Sequence, residues 1–515
     1  MKSRISILGA VARVPVAKRE RSTHADLLFP LNHSGCERES MKSVMTHQDR
    51  TTRNVIVAVA ATLLLSVSAL AQPYLENALH TFTGGSDGAI GGSHLVADSA
   101  GNLYGTTWSG GNKSTKCGVY TGVPGCGVVF ELSPAEYGSW KERVLHTFTG
   151  GKDGAVPTGG VILDSAGNLY GTTLFGGDKE PENCHAVSIY AAGCGVVFKL
   201  TPTAHGPWDE TVLYTFTGAA DGSEPFGNPT FDSSGNLYGT TSIGGNNDGC
   251  GPPPYGCGVV FKLTPSAGGP WTESVLYAFN GSTDGAFPYT DGVTFDSRGN
   301  LYGVTKFGGD LSVNCQGVPG CGVVYQLAPT SSGPWTETVL HAFTGGADGG
   351  SPLFGVILDS GGNVYGTTLG GGDTTRPYCH IVSRPGCGVV YELAQGTWDE
   401  TVLYAFTGGK DGAYGNSPLL FDSAGNLYGE DSGGGDLAAA DCDHGCGVVF
   451  KLTLADEGPW TESVLYTFTG GADGAGPESN LFFDSAGNLY GVTQYGGDTS
   501  ECGGNGCGVV FELAP

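Results

Sequence analysis

The chain has little charge: Asp, Glu, Lys and Arg make up 14% of its 515 residues. A coiled coil or long solvated helix needs far more. Long apolar runs are also lacking. The uncharged stretch VIVAVAATLLLSV at 55–67 is shorter than the roughly 20 residues of a membrane-spanning helix. No 3.6-residue hydrophobic period appears, which excludes helical solenoids. Glycine is plentiful, at 90 residues, but follows no Gly-X-Y period, so collagen is excluded. A hydrophobic content of 39% is too high for disorder. Basic residues are scarce in the body, where 72–515 hold 14 of the 24 Lys and Arg but 45 of the 50 Asp and Glu. A surface that acidic repels nucleic-acid phosphates and anionic lipid headgroups. It leaves cations and neutral polymers such as glycans as partners.

The N-terminus reads as an address. Arg50 and Arg53 precede the apolar run and Ala69-Leu70-Ala71 follows it. Basic, apolar and small-residue segments in that order make a secretory signal peptide, with cleavage expected before Gln72 and no membrane span afterwards. Residues 1–40 read as an over-extended start or a disordered leader, 41–71 as the signal peptide and 72–515 as the mature body. Methionine is confined to Met1, Met41 and Met45.

Self-comparison organises the remainder. The string D-S-x-G-N-[LV]-Y-G recurs with its aspartate at Asp98, Asp164, Asp232, Asp296, Asp359, Asp422 and Asp484. Each copy holds four strand-like runs rich in aromatic and β-branched residues, bounded by Gly, Pro, Asp or Asn. Four short antiparallel strands repeated seven times predict an all-β, seven-bladed β-propeller of four-stranded blades. The body opens with a lone fourth-type strand at Leu79–Phe82 and ends with a third-type strand at 508–513. Pairing the two closes the ring and removes an open sheet edge.

Call the strands A to D from the channel outward. The D-S-x-G-N turn joins A to B, its Asp accepting from turn amides. The Gly of N-L-Y-G sits inside strand B, where close approach by an aromatic from the next blade is expected. Trp140, Trp208, Trp271, Trp335, Trp398 and Trp460 precede strand D and read as blade-to-blade packing.

Cys36 lies in the leader. The other fourteen cysteines fall two per repeat on the B–C loop: Cys117/Cys126, Cys184/Cys194, Cys250/Cys257, Cys315/Cys321, Cys379/Cys387, Cys442/Cys446 and Cys502/Cys507. One local pair per unit in an exported chain predicts seven disulfides rather than zinc, since no pair has the two-residue spacing of a zinc knuckle.

Strand direction places the D–A and B–C loops on one face, and long loops on a rigid scaffold are where binding usually sits. Two Asx sets converge there. One is the D-G aspartate of each D–A loop: Asp87, Asp153, Asp221, Asp284, Asp348, Asp411 and Asp473. The other follows Gly-Gly after strand B: Asn112, Asp178, Asn246, Asp310, Asp373, Asp436 and Asp498. Oxygen ligands in Gly-rich loops suit Ca²⁺; the alternative is that each Asx only caps its own turn. Departures from sevenfold symmetry are further candidates. Glu430-Asp431 replaces Thr-Thr after strand B of the sixth unit, and Arg376, Tyr378, His380 and Arg384 crowd the fifth stapled loop. Trp108, Tyr190, Tyr255, Tyr378 and Tyr495 put aromatic rings on the same loops, where they would stack on sugars or serve loop packing. No H-E-x-x-H motif occurs and the histidines show no metal-ligand spacing.

The unit F-x-G-x-x-D-G…D-S-x-G-N-L-Y-G-T-T-x-x-G-G…G-V-V-F-K-L over 79–515 resembles the GloVer tandem repeat of choice-of-anchor bacterial surface proteins. The resemblance implies export and a β-rich repeat, with no assigned activity and no catalytic residues. The chain ends at Pro515 directly after its last strand, which favours release or periplasmic residence over surface anchoring. The expectation is a monomeric extracellular binding module for a glycan, a protein ligand or a divalent cation. A polysaccharide lyase or hydrolase working in the central channel and a structural envelope protein are the alternatives.

Overall fold

The computed structural model describes residues 74–515 except 93, 113–116, 118, 121–122, 178–183, 185–191, 205, 246–248, 251–255, 267–268, 290–291, 332–333, 376–378, 380–384, 440–441, 443, 456–457 and 501. The signal-peptide reading therefore falls outside the described residues. Seven antiparallel sheets, each with strands in the order A-B-C-D, form a seven-bladed β-propeller. Blade 3 shows the pattern, with strands at Ser223–Phe231, Leu237–Ile243, Val259–Ser266 and Gly269–Ala278. Among the described residues no helix is long and apolar enough to cross a membrane.

Burial follows strand position. Strand D alternates exposed and covered residues because one of its faces meets solvent, as in Asp209–Thr215 of blade 2. Strand C is covered on both faces by the neighbouring blades. In blade 1 its residues Val128, Val129, Phe130 and Leu132 have no exposed surface, each side chain worth about 1.5–3 kcal/mol of burial. The tryptophans bind blade to blade, as expected. Trp208, Trp271, Trp335 and Trp398 each lean on the strand-B tyrosine of the preceding blade (Tyr104, Tyr170, Tyr238 and Tyr302), with ring centroids 6.0–6.3 Å apart.

The A–B turn is held by its aspartate. Asp98 Oδ1 accepts from the amides of Ala100 and Asn102, and Oδ2 from Asn102 Nδ2 and Tyr104 Oη. The glycine of strand B is explained differently from the expectation. The aromatic that crowds it comes from strand C of its own blade, not from the next blade. Gly105 stands opposite Phe130 in register, and a Cβ there would lie 2.7 Å from Phe130 Cζ.

The ring closes as the phase of the repeat predicts. Leu75–Thr81 serves as strand D of blade 7 and pairs with strand C, Val509–Ala514, from Leu75↔Ala514 to Thr81↔Val509. Strand C pairs on its other side with strand B, Leu489–Tyr495. Phe82, fully buried, then meets Phe130 of blade 1 edge-on at 5.3 Å. Nearer the axis, His94 of blade 1 and Asn480 of blade 7 are bridged and hydrogen-bonded through their side chains.

Candidate functional site

All fourteen B–C cysteines are joined in seven disulfides, one per blade. Seven disulfides place the folded chain in an oxidising compartment, extracellular or periplasmic. The staples close loops of unequal length. Blades 6 and 7 have the shortest, with the paired cysteines 4 and 5 residues apart; elsewhere the separation runs from 6 to 10.

The pairing is as expected, but the placement of the second cysteine on the loop needs correction. Cys126, Cys194, Cys257, Cys321, Cys387, Cys446 and Cys507 are all buried, at the foot of strand C, and belong to the core rather than to the loop surface. The reason is the D–A loop, which folds over the disulfide of the same blade. A Cβ on Gly281 would lie 2.9 Å from Cys257 Sγ, and one on Gly345 would lie 2.8 Å from Cys321 Sγ. Each staple therefore anchors its loop to the core, and its second sulfur offers nothing to a ligand.

The D-G aspartates are engaged within their own loops. In every blade the aspartate Oδ2 accepts from the amide four residues earlier at 2.7–2.9 Å. Strand D supplies a second partner: His80, His146 or His341 to Asp87, Asp153 or Asp348, and Tyr214, Tyr277, Tyr404 or Tyr466 to Asp221, Asp284, Asp411 or Asp473. A glutamate from strand D of the next blade faces each pair. Burial first, and the facing carboxylate second, push Glu76, Glu273, Glu337 and Glu462 up to about 7. Glu142, Glu210 and Glu400 face the histidine pairs and are also raised by burial, with the histidine opposing the shift. In the second Asx set, Asp310, Asp373 and Asp498 cap Ser312, Thr375 and Ser500, and Asp436 caps Ala438. Asn112 is exposed. Among the described residues no three His, Cys, Asp or Glu side chains gather closely enough to hold a metal ion.

Glu430 and Asp431 have no exposed surface, and they point opposite ways, as adjacent strand residues must. Glu430 accepts from the Ser479 amide at 2.6 Å and from its hydroxyl at 3.1 Å, tying blade 6 to blade 7. Burial pushes its carboxyl up to about 8 against those hydrogen bonds. Asp431 has neither oxygen hydrogen-bonded. Burial, with Asp411, Glu462 and Glu430 nearby, raises its carboxyl well above the usual range. Six sibling blades carry a threonine here, whose hydroxyl donates two residues on and accepts from strand C. In blade 1, Thr107 Oγ1 donates to the Ser109 carbonyl and accepts from the Val128 amide.

Of the aromatic candidates, Trp108 lies within strand B, Leu103–Ser109. Its indole donates to the Thr158 carbonyl of blade 2 at 3.1 Å, so it packs two blades together. Tyr495 ends strand B of blade 7 and borders a cavity. Tyr190, Tyr255, Arg376, Tyr378, Arg384, Asp178 and Asn246 lie outside the described residues. Gly84-Gly85-Ser86-Asp87-Gly88 fits G-x-S-x-G, yet it forms a D–A loop closed by the Gly84 amide on the Gly88 carbonyl, not a strand-to-helix elbow.

A feature of the loop face escaped the sequence. One residue per blade, at the start of strand A, holds a φ of 55–65°: Ile90, Val156, Glu224, Phe287, Ser351, Tyr414 and Gly476. Six of the seven are not glycine, and such a conformation is strained for a β-branched residue. It persists because the amide is held. Each donates at 2.7–2.9 Å to the carbonyl of the second cysteine in the preceding blade, from Ile90 to Cys507 round to Gly476 to Cys446. The staples thus fix the carbonyls that fix this ring. The sequence signal was an invariant D-G-[ASG] frame followed by a slot reading I, V, E, F, S, Y and G.

A cavity of about 470 Å³ opens on the same face between blades 6 and 7, within the range of roughly 300–1,000 Å³ usual for small-ligand sites. Tyr414, Ser432, Gly476, Glu478, Gln494 and Tyr495 form its inner part, and His444 and Asn505 of the two shortest staples its rim. Glu478 accepts from Asn416 Nδ2 at 2.8 Å and from Gln494 Nε2 at 2.5 Å.

Fold and staples together define a disulfide-stapled β-propeller repeat protein with one loop-rich face. The family model described as the Gloeobacter/Verrucomicrobia repeat matches residues 117–376, half of the chain. The chain belongs to that family. No curated protein matches it. Among solved structures it is similar to a Trichoderma reesei carbohydrate-active enzyme of family AA12, at 11% identity over 86% of this chain and 96% of that one, with a TM-score of 0.38. A putative oxidoreductase (glucose dehydrogenase) from Thermus thermophilus matches at 13% identity over 85% and 99%, with a TM-score of 0.38. A fungal alcohol oxidase of the AA5 family, in complex with copper, matches at 13% identity over 86% and 77%, with a TM-score of 0.47. None of these likenesses assigns an activity to this chain.

Proposed function

We propose that the protein is an exported binding module that uses its loop face to hold a glycan. The observation that carries this reading is the contrast between a scaffold repeated seven times and loops that differ blade by blade on one face, with the 470 Å³ cavity among them. Rigid frames with divergent loops are the usual arrangement for recognition. A divalent cation draws less support, because the D-G aspartates and the described Gly-Gly aspartates already cap their own loops. Catalysis draws less support as well, since Glu430 and Asp431 are sealed between blades. The acidic body favours neutral or cationic glycans over anionic ones. Export follows from the signal peptide read at 41–71.

Expressed with its own leader in a bacterial host, the protein should be recovered outside the cytoplasm, beginning at Gln72. On a glycan array it should retain at least one neutral or amino-sugar glycan. A folded, disulfide-intact protein that retains none would contradict the reading.

A further inference from the structure

We propose that the cavity between blades 6 and 7 is a saccharide subsite that exists because residue 476 is glycine. It takes a sugar residue presenting hydroxyl or ammonium donors rather than a carboxylate. The proposal rests on the glycan-binding reading and narrows it to one place and one chemistry.

The cavity is a symmetry defect. In blade 4 the slot of the left-handed ring holds Phe287, whose ring meets Phe307, two residues past strand B, edge-on at 6.1 Å. In blade 7 the same two positions are Gly476 and Tyr495. A Cβ at residue 476 would lie 3.5 Å from the Tyr495 ring, an ordinary contact, so the space is open and a side chain fits it. Blade 5 supplies the comparison. Its slot is Ser351, opposite Gly370, but Gln316 of a neighbouring staple reaches over and donates to Ser351 Oγ at 3.3 Å. The cavity there shrinks to about 10 Å³. Beside Gly476 the staples are the shortest two in the molecule, and the space stays open.

The inner wall of this defect differs from every other blade. Two residues after the slot, the other blades carry Gly92, Thr158, Phe226, Tyr289 and Leu353; blades 6 and 7 carry Asn416 and Glu478. Amide donors from Asn416 and Gln494 reach one carboxylate oxygen each. They fix its direction, and a carboxylate with about four lone-pair sites accepts from several donors at once. Tyr414 and Tyr495 add aromatic surface for the C–H side of a pyranose ring. Among the described residues that form the cavity there is no Lys or Arg, so a uronate would bring its charge to Glu478 uncompensated.

Titration calorimetry on the full chain with intact disulfides tests this, using cellobiose, the glucosamine disaccharide and the galacturonate disaccharide as probes. The neutral or the amino disaccharide should bind and the uronate should not. Gly476→Val should weaken binding at least about tenfold. It should melt below wild type, because a β-branched residue is strained at this φ, yet still fold, because Val156 holds the same backbone conformation in blade 2. Glu478→Gln should weaken it about fivefold or more, most for the amino sugar, and Ser351→Val should leave it unchanged. If wild type binds a disaccharide and both Gly476→Val and Glu478→Gln bind it equally well, the subsite is refuted while the binding face stands. Preference for the uronate refutes the chemistry, and binding of no probe by folded wild type overturns the subsite.

Discussion

Deleting Leu75–Phe82 should abolish the stable closed fold. The segment is strand D of blade 7, and its removal leaves Val509–Ala514 as an unpaired edge on a buried strand. It also withdraws Phe82 from Phe130 of blade 1. A long apolar edge pairs readily with another chain. The truncated protein should therefore elute as oligomers or aggregate, and any soluble fraction should melt far below the full chain. The milder Phe82→Ala keeps the backbone pairing and removes a fully buried ring, costing about 3–5 kcal/mol. Size-exclusion chromatography and thermal melting check both. A truncated chain that stays monomeric and melts like wild type would show that the ring does not depend on this strand.

Asp431→Thr should stabilise the protein. Wild type buries a carboxyl with neither oxygen hydrogen-bonded, a cost of about 1–3 kcal/mol for an unsatisfied buried group. Threonine restores the two hydrogen bonds that Thr493 makes in blade 7, to the Tyr495 carbonyl and from the Val509 amide. The gain should depend on pH. Burial raises the Asp431 pKa, so the folded chain keeps a proton that the unfolded chain releases above about pH 4. Wild-type stability therefore falls as pH rises from that point toward the folded pKa. The substituted chain lacks this drop, so the difference in melting temperature should widen from pH 4 to pH 8. A difference that is negative, or that narrows with rising pH, would mean that the carboxyl is not held neutral.

Much of the fold was legible because the repeat states its own period and phase. Seven D-S-x-G-N turns counted the blades, and a lone strand at the start with a missing one at the end marked the closure. The disulfides were legible from one local cysteine pair per unit, though not the burial of the second sulfur, which depends on the D–A loop lying over it. The crowding of Gly105 was assigned to the wrong partner, because spacing shows that an aromatic must be close but not whether it comes across the sheet or across blades. The loop-face site was only half visible. Tyr495 stood out as an aromatic departure, whereas Gly476 and Glu478 did not. A glycine among 90 glycines carries no signal by itself. Its meaning appears once six siblings are seen to hold side chains in the same left-handed slot. The D-G aspartates showed the reverse: they looked like convergent ligands, and their amide and hydroxyl partners lie four residues away in the same loops. Asp431 drew notice as a carboxylate, yet its lack of hydrogen bonds is a property of packing that no local pattern reports.

Hydrogen exchange at the closure tests the whole account, since ring geometry decides which loops share a face. The amides in Leu75–Thr81 that bond to the last strand should exchange on the slow timescale of Val509–Ala514, and both segments should lose protection together as denaturant is added. Rapid exchange of the first segment, with the last still protected, would mean that the two ends of the body are not zipped and that the loop face described here is not assembled as stated.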